Sequence, residues 1–495
     1  MRQGRRFPLL AYLVAVFAFA DTTGQGAESA WPANVRVNQD HIGNQQAETS
    51  LAVDPNDPLH LVAVFWEVIS VDPQNPGNRQ KRLNWAWTRD GGQTWQSRRF
   101  ENDVYSSDPS IKADRLGNFY IETILVPHFR DQTDVSIGIL KSTDGGETFV
   151  KTADIGLNRS MDKPYMTIDP VSDALYVFWN DFSRTRGPNS WRIFFAASTD
   201  HGATFSTPHQ ISAESAFGGF ATAAVGIEGE VYATWATIYH AQRIWFARSL
   251  DGGRTWPTTD RHVTDTPAGG VRQFDAVGWP TVAVDRSGGP HHGRVYVAWT
   301  RSTSLIGSVE LAWSDDRGDH WSPSVRVDDV ELSGDSHSLA WVVVDGEGRV
   351  CVTYRLLRPD PAGSLRAEYL AFSTDGGVTF GPNVRISDGI YPNRLFNGDY
   401  DEPVAVGNRL HAIWADARFG DNDVFTQNVD LDDFDEDGIL NDGDLDGQYA
   451  DHPCTGGATA HCDDNCPGVP NPDQRDSDQD GIGDACDGAP VAGTP

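Results

Sequence analysis

Six times the chain repeats a short phrase of the form Ser/Thr-x-Asp-x-Gly-x-Thr-Trp/Phe: Thr88–Trp95, Ser142–Phe149, Ser198–Phe205, Ser249–Trp256, Ser314–Trp321 and Ser373–Phe380. Its central aspartates are Asp90, Asp144, Asp200, Asp251, Asp316 and Asp375, so the steps are 54, 56, 51, 65 and 59 residues. A period of that length, built from Gly turns and β-branched runs, means one supersecondary unit copied around an axis or along a line. Sixteen Trp and 11% aromatic residues, in a chain only 39% hydrophobic overall, fit many short half-buried strands.

The module is larger than the phrase. In the third copy, Pro164–Asp169 and Leu175–Trp179 flank a turn, Arg192–Ala197 runs into the phrase, and His209–Ser212 leaves it. Period-two alternation between Gly, Pro and Asp turns predicts a four-stranded antiparallel sheet for each module. The phrase is then the turn between third and fourth strands. Its Asp accepts from loop N–H groups, its Gly supplies positive φ, and its aromatic ring packs back between strands. Thr88 and His320 depart from the usual residues, so those two turns are expected to be looser.

The strand pattern occurs a seventh time, in Glu402–Val406, Arg409–Ala415 and Asp423–Val429, and stops before any phrase. Asn34–Asn38 (NVRVN) matches the fourth strands Asn383–Ser387 and Ser324–Asp328. An N-terminal strand completing the last sheet closes a ring and covers an open edge. The expected fold class is all-β, a seven-bladed β-propeller, with six blades and a stray hairpin as the alternative. The phrase resembles the Asp box, or bacterial neuraminidase repeat, of the sialidase superfamily. The resemblance covers roughly 34–430 and implies a propeller; known sialidase domains have six blades.

Alternation also sorts the loops. The repeated turns share one face, whereas the loops between blades and between second and third strands share the other, where binding and catalysis would sit. A sialidase-type site needs three arginines, a Tyr nucleophile primed by Glu, and an Asp acid/base. That face offers Arg184, Arg186, Arg243, Arg272, Arg301, Arg355, Arg394, Arg418, Tyr239, Tyr400, Glu48, Asp162 and Asp275. Asp162, Arg243, Arg272, Asp275, Arg394 and Tyr400 are the substrate-binding candidates. The Arg-Ile/Leu-Pro motif of sialidases is missing, since 33–40 reads ANVRVNQD. The reading is therefore a face that binds a glycan or an extracellular protein, in recognition or adhesion. The alternative is a sialidase-like exo-glycosidase or another polysaccharide-degrading enzyme. Trp66, Trp179, Trp235, Trp299 and Trp414 recur in register in the second strands and are expected in the core.

After Asp430 the composition changes. Residues 430–487 hold 18 acidic side chains against Arg475, more than half of the net charge of −31. Such a chain repels nucleic acid and collects cations. Two segments, 433–444 and 476–487, place oxygens at positions 1, 3, 5, 9 and 12 with Gly at position 6, as a calcium loop requires. These are Asp433, Asp435, Asp437, Asn441 and Asp444 with Gly438, then Asp476, Asp478, Asp480, Asp484 and Asp487 with Gly481. The last ligand is Asp rather than Glu and no flanking helices are evident, which disfavours an EF-hand. Cys462–Asp487 (CDDNCPGVPNPDQRDSDQDGIGDACD) resembles the thrombospondin type 3 repeat, which implies calcium-wrapped, disulfide-stapled extracellular spacers. Four cysteines allow three pairings; Cys454–Cys462 with Cys466–Cys486 is the preferred one. Cys351, in an apolar strand, is expected to be a buried core thiol.

The N-terminus has Arg2, Arg5 and Arg6 before the apolar run Phe7–Ala20, which ends in Ala-Phe-Ala. That is the form of a cleaved export signal, and the run is short for a spanning helix. The expected organisation is signal peptide 1–20, linker 21–33, propeller 34–430, calcium-binding repeats 431–487 and tail 488–495, in a secreted protein with no transmembrane segment after cleavage.

Overall fold

The computed structural model describes residues 33–487, apart from 40–43, 71–78, 101–103, 127–134, 157–159, 182–190, 214–218, 238–242, 266–278, 304–305, 330–333, 362, 394–397, 435–436, 442, 444–451 and 468. Seven antiparallel blades form the ring. Blade 1 has first strand Gln46–Asp54, then Asp57–Ser70, Arg79–Thr88 and Gln96–Arg99. The first strands of blades 2 to 6 are Tyr105–Ala113, Met161–Ile168, Gly219–Val225, Thr281–Val284 and Ser336–Val344. Neighbouring first strands face one another around the axis.

Blade 7 consists of Val404–Val406, Arg409–Asp416 and Asp423–Asp430, and its outer strand is Val35–Arg36 from the N-terminus. Val35 pairs with Thr426 and Arg36 with Phe425. Two flanking asparagines anchor this short strand. Asn38 donates to Asp423 at 2.7 Å and accepts from the Val424 N–H at 2.8 Å, while Asn34 donates to Gln427 at 2.7 Å. A second stitch lies on the inside, where Asp401–Glu402 pairs in parallel with Thr49 and Ser50 of blade 1.

The second strands are the most buried, as runs flanked on both sides by sheet must be. Trp66, Trp179, Trp235, Trp299 and Trp414 are among the largest fully buried side chains. Cys351 is a buried free thiol.

All six repeated turns use one hydrogen-bond scheme. In the second, Ser142 Oγ donates to Asp144 Oδ1 at 2.7 Å and accepts from Gly146 N–H at 2.8 Å; Asp144 also accepts from the Thr148 N–H at 2.9 Å. The two departures are not looser. Thr88 makes the Ser bonds, and His320 gives Asp316 its N–H at 2.8 Å and its Nδ1 at 2.6 Å. A hydroxyl at the first position and a nitrogen or hydroxyl at the seventh are all the scheme needs. Among the described residues no helix is long and apolar enough to cross a membrane.

Candidate functional site

The described first strands of blades 1, 2, 3, 4 and 6 each break register near their start, between Ala47/Ser50, Ser107/Ser110, Asp162/Tyr165, Gly219/Thr222 and Ser338/Trp341. Inside each break one non-glycine residue has positive φ: Glu48 (57°), Asp108 (52°), Lys163 (48°), Phe220 (39°) and Leu339 (51°). Bulged left-handed residues of this bulk cost free energy and persist only where the surroundings force them. A bulge re-aims its side chain. Here Glu48, Asp108 and Lys163 meet in ion pairs, and Phe220 and Leu339 line one cleft. Both groups lie at the starts of the inner strands, the end of the ring opposite the repeated turns, which is its mouth.

One half of the mouth is charged. Lys163 Nζ lies 3.2 Å from Glu48 Oε1, 2.6 Å from Asp108 Oδ1 and 2.5 Å from Asp399 Oδ2. Glu48 also accepts from Trp66 Nε1 at 2.5 Å, which ties the cluster to the tryptophan layer. Asp162 accepts the Lys163 N–H at 3.0 Å. Burial works against the Lys163 charge, but Asp108, Glu48 and Asp399 hold its ammonium well above the usual range. Burial also pushes Asp108 up; Lys163 and Lys81 outweigh it and hold that carboxyl below its ordinary value. For Glu48, desolvation and then the Asp108 charge raise the pKa. The same two causes push half-buried Asp162 up to about 7. Neighbouring carboxylates are thus driven apart, one ionised and one ready to carry a proton.

The other half is aromatic. Phe220, Trp279, Trp341 and Tyr400 come from four blades and join Tyr165 in one buried cluster. Phe220 stacks on Tyr400 at 5.4 Å and meets Trp279 at 5.6 Å, while Tyr165 lies 5.9 Å from Trp341. A narrow cleft among these rings is also lined by Asp399 and Thr281. A larger cavity of about 840 Å³ opens on the repeated-turn face between blades 3 and 4, lined by Tyr176, His209, Glu228 and Arg254. It lies between turns and lacks the bulged strands and converging ion pairs that mark the channel mouth.

Of the sequence candidates, Glu48, Asp162 and Tyr400 stand at this mouth. Tyr400 is buried and its hydroxyl donates to the Pro109 carbonyl at 3.0 Å; burial and then Glu48 and Asp108 raise its pKa well above ordinary, the reverse of a primed nucleophile. Arg243 is exposed at the start of its strand in blade 4, 3.5 Å from His262. Arg272, Asp275 and Arg394 lie outside the described residues. Arg355 is buried away from solvent between Glu368 (3.2 Å) and Asp401, joining blade 6 to the inner stitch. Asp108, Lys163, Asp399 and the other rings of the aromatic half, Phe220, Trp279 and Trp341, are not among the sequence candidates. The one available signal was their recurrence at the same place in successive modules.

In the tail, the two acidic loops share a geometry. Gly438 N–H donates to Asp433 at 3.0 Å and Gly481 N–H to Asp476 at 3.0 Å; Ile439 and Ile482 donate to Asp437 and Asp480 at 2.8 and 2.9 Å. Gly438 and Gly481 have φ of 90° and 93°, which the sharp turn demands. Ligand oxygens of Asp476, Asp478 and Asp480 lie within 4.8 Å of one another. Asp478 Oδ1 has no hydrogen-bond partner, and desolvation followed by the Asp480 charge raises its pKa. This donor set, three hard carboxylates crowded together, fits a calcium ion. Asp484, at position 9, turns to Ser477 N–H at 2.7 Å and Arg475 at 3.0 Å. Asn441, its counterpart, is buried, whereas Asp435 and Asp444 lie outside the described residues and Asp487 closes the second loop. Disulfides join Cys454 to Cys462 and Cys466 to Cys486, the preferred pairing.

Fold and site together define a seven-bladed propeller with a polarised channel mouth and an acidic, disulfide-stapled tail. No known family model matches the chain. It is similar to thrombospondin-2 of Mus musculus, 53% identical over 55 residues, and to thrombospondin-1 of Xenopus laevis, 54% identical over 48 residues. These stretches cover 10% and 9% of this chain, which spans only 5% and 4% of those relatives' lengths. Among solved structures it resembles an alpha-L-arabinofuranosidase of Fusarium graminearum in complex with an iminosugar inhibitor. The TM-score is 0.50 at 12% identity, covering 82% of this chain and 99% of the enzyme. That likeness shows the fold.

Proposed function

We propose that this chain is a secreted, calcium-binding propeller that holds a carbohydrate at the mouth of its channel. The observation that supports this reading best is the mouth itself. Five blades spend backbone strain to put carboxylates and a lysine beside aromatic rings, the pairing that accepts sugar hydroxyls on one side and stacks a sugar face on the other. The fold it shares with a carbohydrate-active enzyme points the same way. The described basic groups here, Lys163 and Lys81, are outnumbered by Glu48, Asp108, Asp162 and Asp399, so an acidic sugar such as a sialic acid is disfavoured. A glycan array probed with the full chain in calcium should retain neutral oligosaccharides, with arabino-oligosaccharides the first to test. Asp108→Asn should weaken that binding at least tenfold. An array on which nothing is retained sinks the reading.

A second reading, hydrolysis of a glycosidic bond, is favoured by the split between Asp162, pushed up to about 7, and Asp108, held low. A protonated carboxyl can protonate the leaving oxygen while an ionised one serves as base or nucleophile. Released sugar should then fall at least 100-fold in both Asp162→Asn and Asp108→Asn, with activity declining above about pH 7 as Asp162 loses its proton. Turnover that survives both substitutions rules this out.

For the tail, the crowded carboxylates support calcium binding, and the similarity to thrombospondins supports an extracellular spacer whose partner is a glycan or an extracellular protein. Calorimetric titration after chelation should show calcium uptake that Asp476→Ala and Asp480→Ala weaken. A secreted product beginning near residue 21 would fit the proposed export signal.

A further inference from the structure

Asp399 stands where the two halves of the mouth meet. Its Oδ2 is taken by Lys163 at 2.5 Å, whereas Oδ1 is buried with no hydrogen-bond partner. The residue is only 5% exposed. A buried carboxylate oxygen left unmet is costly, so it marks a place where a donor belongs. Asp399 lines the narrow aromatic cleft with Phe220, Trp279, Trp341 and Tyr400, and that cleft has room for one water-sized group. Trp279, another residue of this lining, likewise has a buried indole N–H without an acceptor. Two residues of this lining thus each keep one polar atom unmet, an acceptor on Asp399 and a donor on Trp279. Excess carboxylate beside it and ring faces around it both favour positive charge.

We propose that this cleft takes the primary ammonium of an amino sugar, with Asp399 Oδ1 accepting from the ammonium and Trp279 Nε1 donating to an adjacent ring or hydroxyl oxygen. The proposal rests on the carbohydrate reading of the mouth and narrows it to a substrate class. An ammonium is close to water in size, which the cleft admits; an N-acetyl group is not. A simple amine satisfies Asp399 but leaves the indole N–H unmet.

The test is calorimetric titration of the full chain in calcium with a glucosamine tetrasaccharide, its fully N-acetylated counterpart, and n-butylammonium. At about pH 6 the amine is charged. The glucosamine oligomer should bind at least tenfold more tightly than the N-acetylated one, and Asp399→Asn should remove that preference. Wild-type affinity for the glucosamine oligomer should also fall as pH rises and the amine loses its proton, with no such fall for the N-acetylated oligomer. This second measurement stands even if the variant does not fold. Equal binding of the two oligomers, or a preference without pH dependence, overturns the ammonium subsite. Butylammonium binding as tightly as the glucosamine oligomer overturns the sugar assignment. If neutral oligosaccharides bind and glucosamine gains nothing, this inference fails while the carbohydrate reading stands; if no sugar of any kind binds, the carbohydrate reading fails with it.

Discussion

The glycine in each repeated turn carries two constraints, of which the repeat signals only one. Positive φ is the legible one: Gly92, Gly146, Gly202, Gly253, Gly318 and Gly377 lie between 77° and 90°. The hidden one is packing against the preceding blade. A Cβ on Gly146 would come 2.5 Å from Val62, on Gly253 2.4 Å from Phe195, and on Gly318 2.2 Å from Phe246. Phe246 is fully buried and cannot step aside. Gly318→Ala should therefore cost about 2–4 kcal/mol, combining left-handed strain with overpacking. Gly288 is the control: φ is 82° but nothing lies within 4 Å of its would-be Cβ, so Gly288→Ala should cost about 1 kcal/mol. Denaturant unfolding of both variants checks this; equal losses would show that the inter-blade contact is immaterial.

Among elements, the turn and the strand differ in how plainly sequence announces them. The turn is local, since its Asp, Gly and hydroxyl bond to one another within seven residues, so its place and its Asp–N–H bonds are legible in the sequence. The hydroxyl's part, which lets Thr88 and His320 fit without loosening, is not. The seventh blade and its N-terminal closing strand were legible because strands of one blade share an alternation that Asn34–Asn38 continues. The bulges were not. A one-residue slip leaves hydrophobic alternation nearly intact on either side, and Asp108 or Lys163 looks like any polar residue at a strand's start. What makes them a site is convergence across blades, which no local pattern reports. The turns also predict a pH response. Asp200 and Asp251 are held at about 2 chiefly by hydroxyl and N–H donors of their own turns, and Asp90 and Asp316 reach about 2 because such donors outweigh desolvation. A folded value below the unfolded one means stability present above about pH 4 and lost as pH falls towards 2. Each group is solvent-facing and contributes little alone, so the effect is the sum over turns. Asp162 runs oppositely: raised to about 7, it disfavours the folded state progressively as pH climbs from about 4 to 7. Thermal midpoints measured from pH 2 to 5 should rise in wild type, and less steeply in an Asp200→Asn, Asp251→Asn double variant. Parallel curves would contradict the assignment.

At the scale of the whole molecule, the tail is joined to the ring rather than hung from it. Leu431 and Phe434 are almost fully buried in the core shared by blades 6 and 7, with Phe434 edge-on to Phe372 at 4.6 Å. Arg349 of blade 6 pairs with both Asp345 (2.7 Å) and Asp432, and Asn408 of blade 7 bridges Asp430 and Asp432 at 3.0 and 2.8 Å. Phe434 is the second residue of the first acidic loop, directly after Asp433. If calcium holds that loop, it also holds the aromatic plug in the core between blade 6 and blade 7. Removing calcium leaves the carboxylates to repel one another, the loop opens, and Phe434 loses its seat. The region 431–487 contains no Trp, so tryptophan fluorescence reports the propeller and the linker before it, not the tail. Chelation should lower the thermal midpoint seen by that fluorescence. Phe434→Ala, at a cost of about 3–5 kcal/mol, should lower it too and largely abolish the further effect of chelation, because the plug through which loop and ring communicate is already gone. If chelation leaves the tryptophan transition unmoved while calcium binding to the wild type is demonstrated by calorimetry, the tail is only a neighbour of the ring and the core between blades 6 and 7 holds unaided.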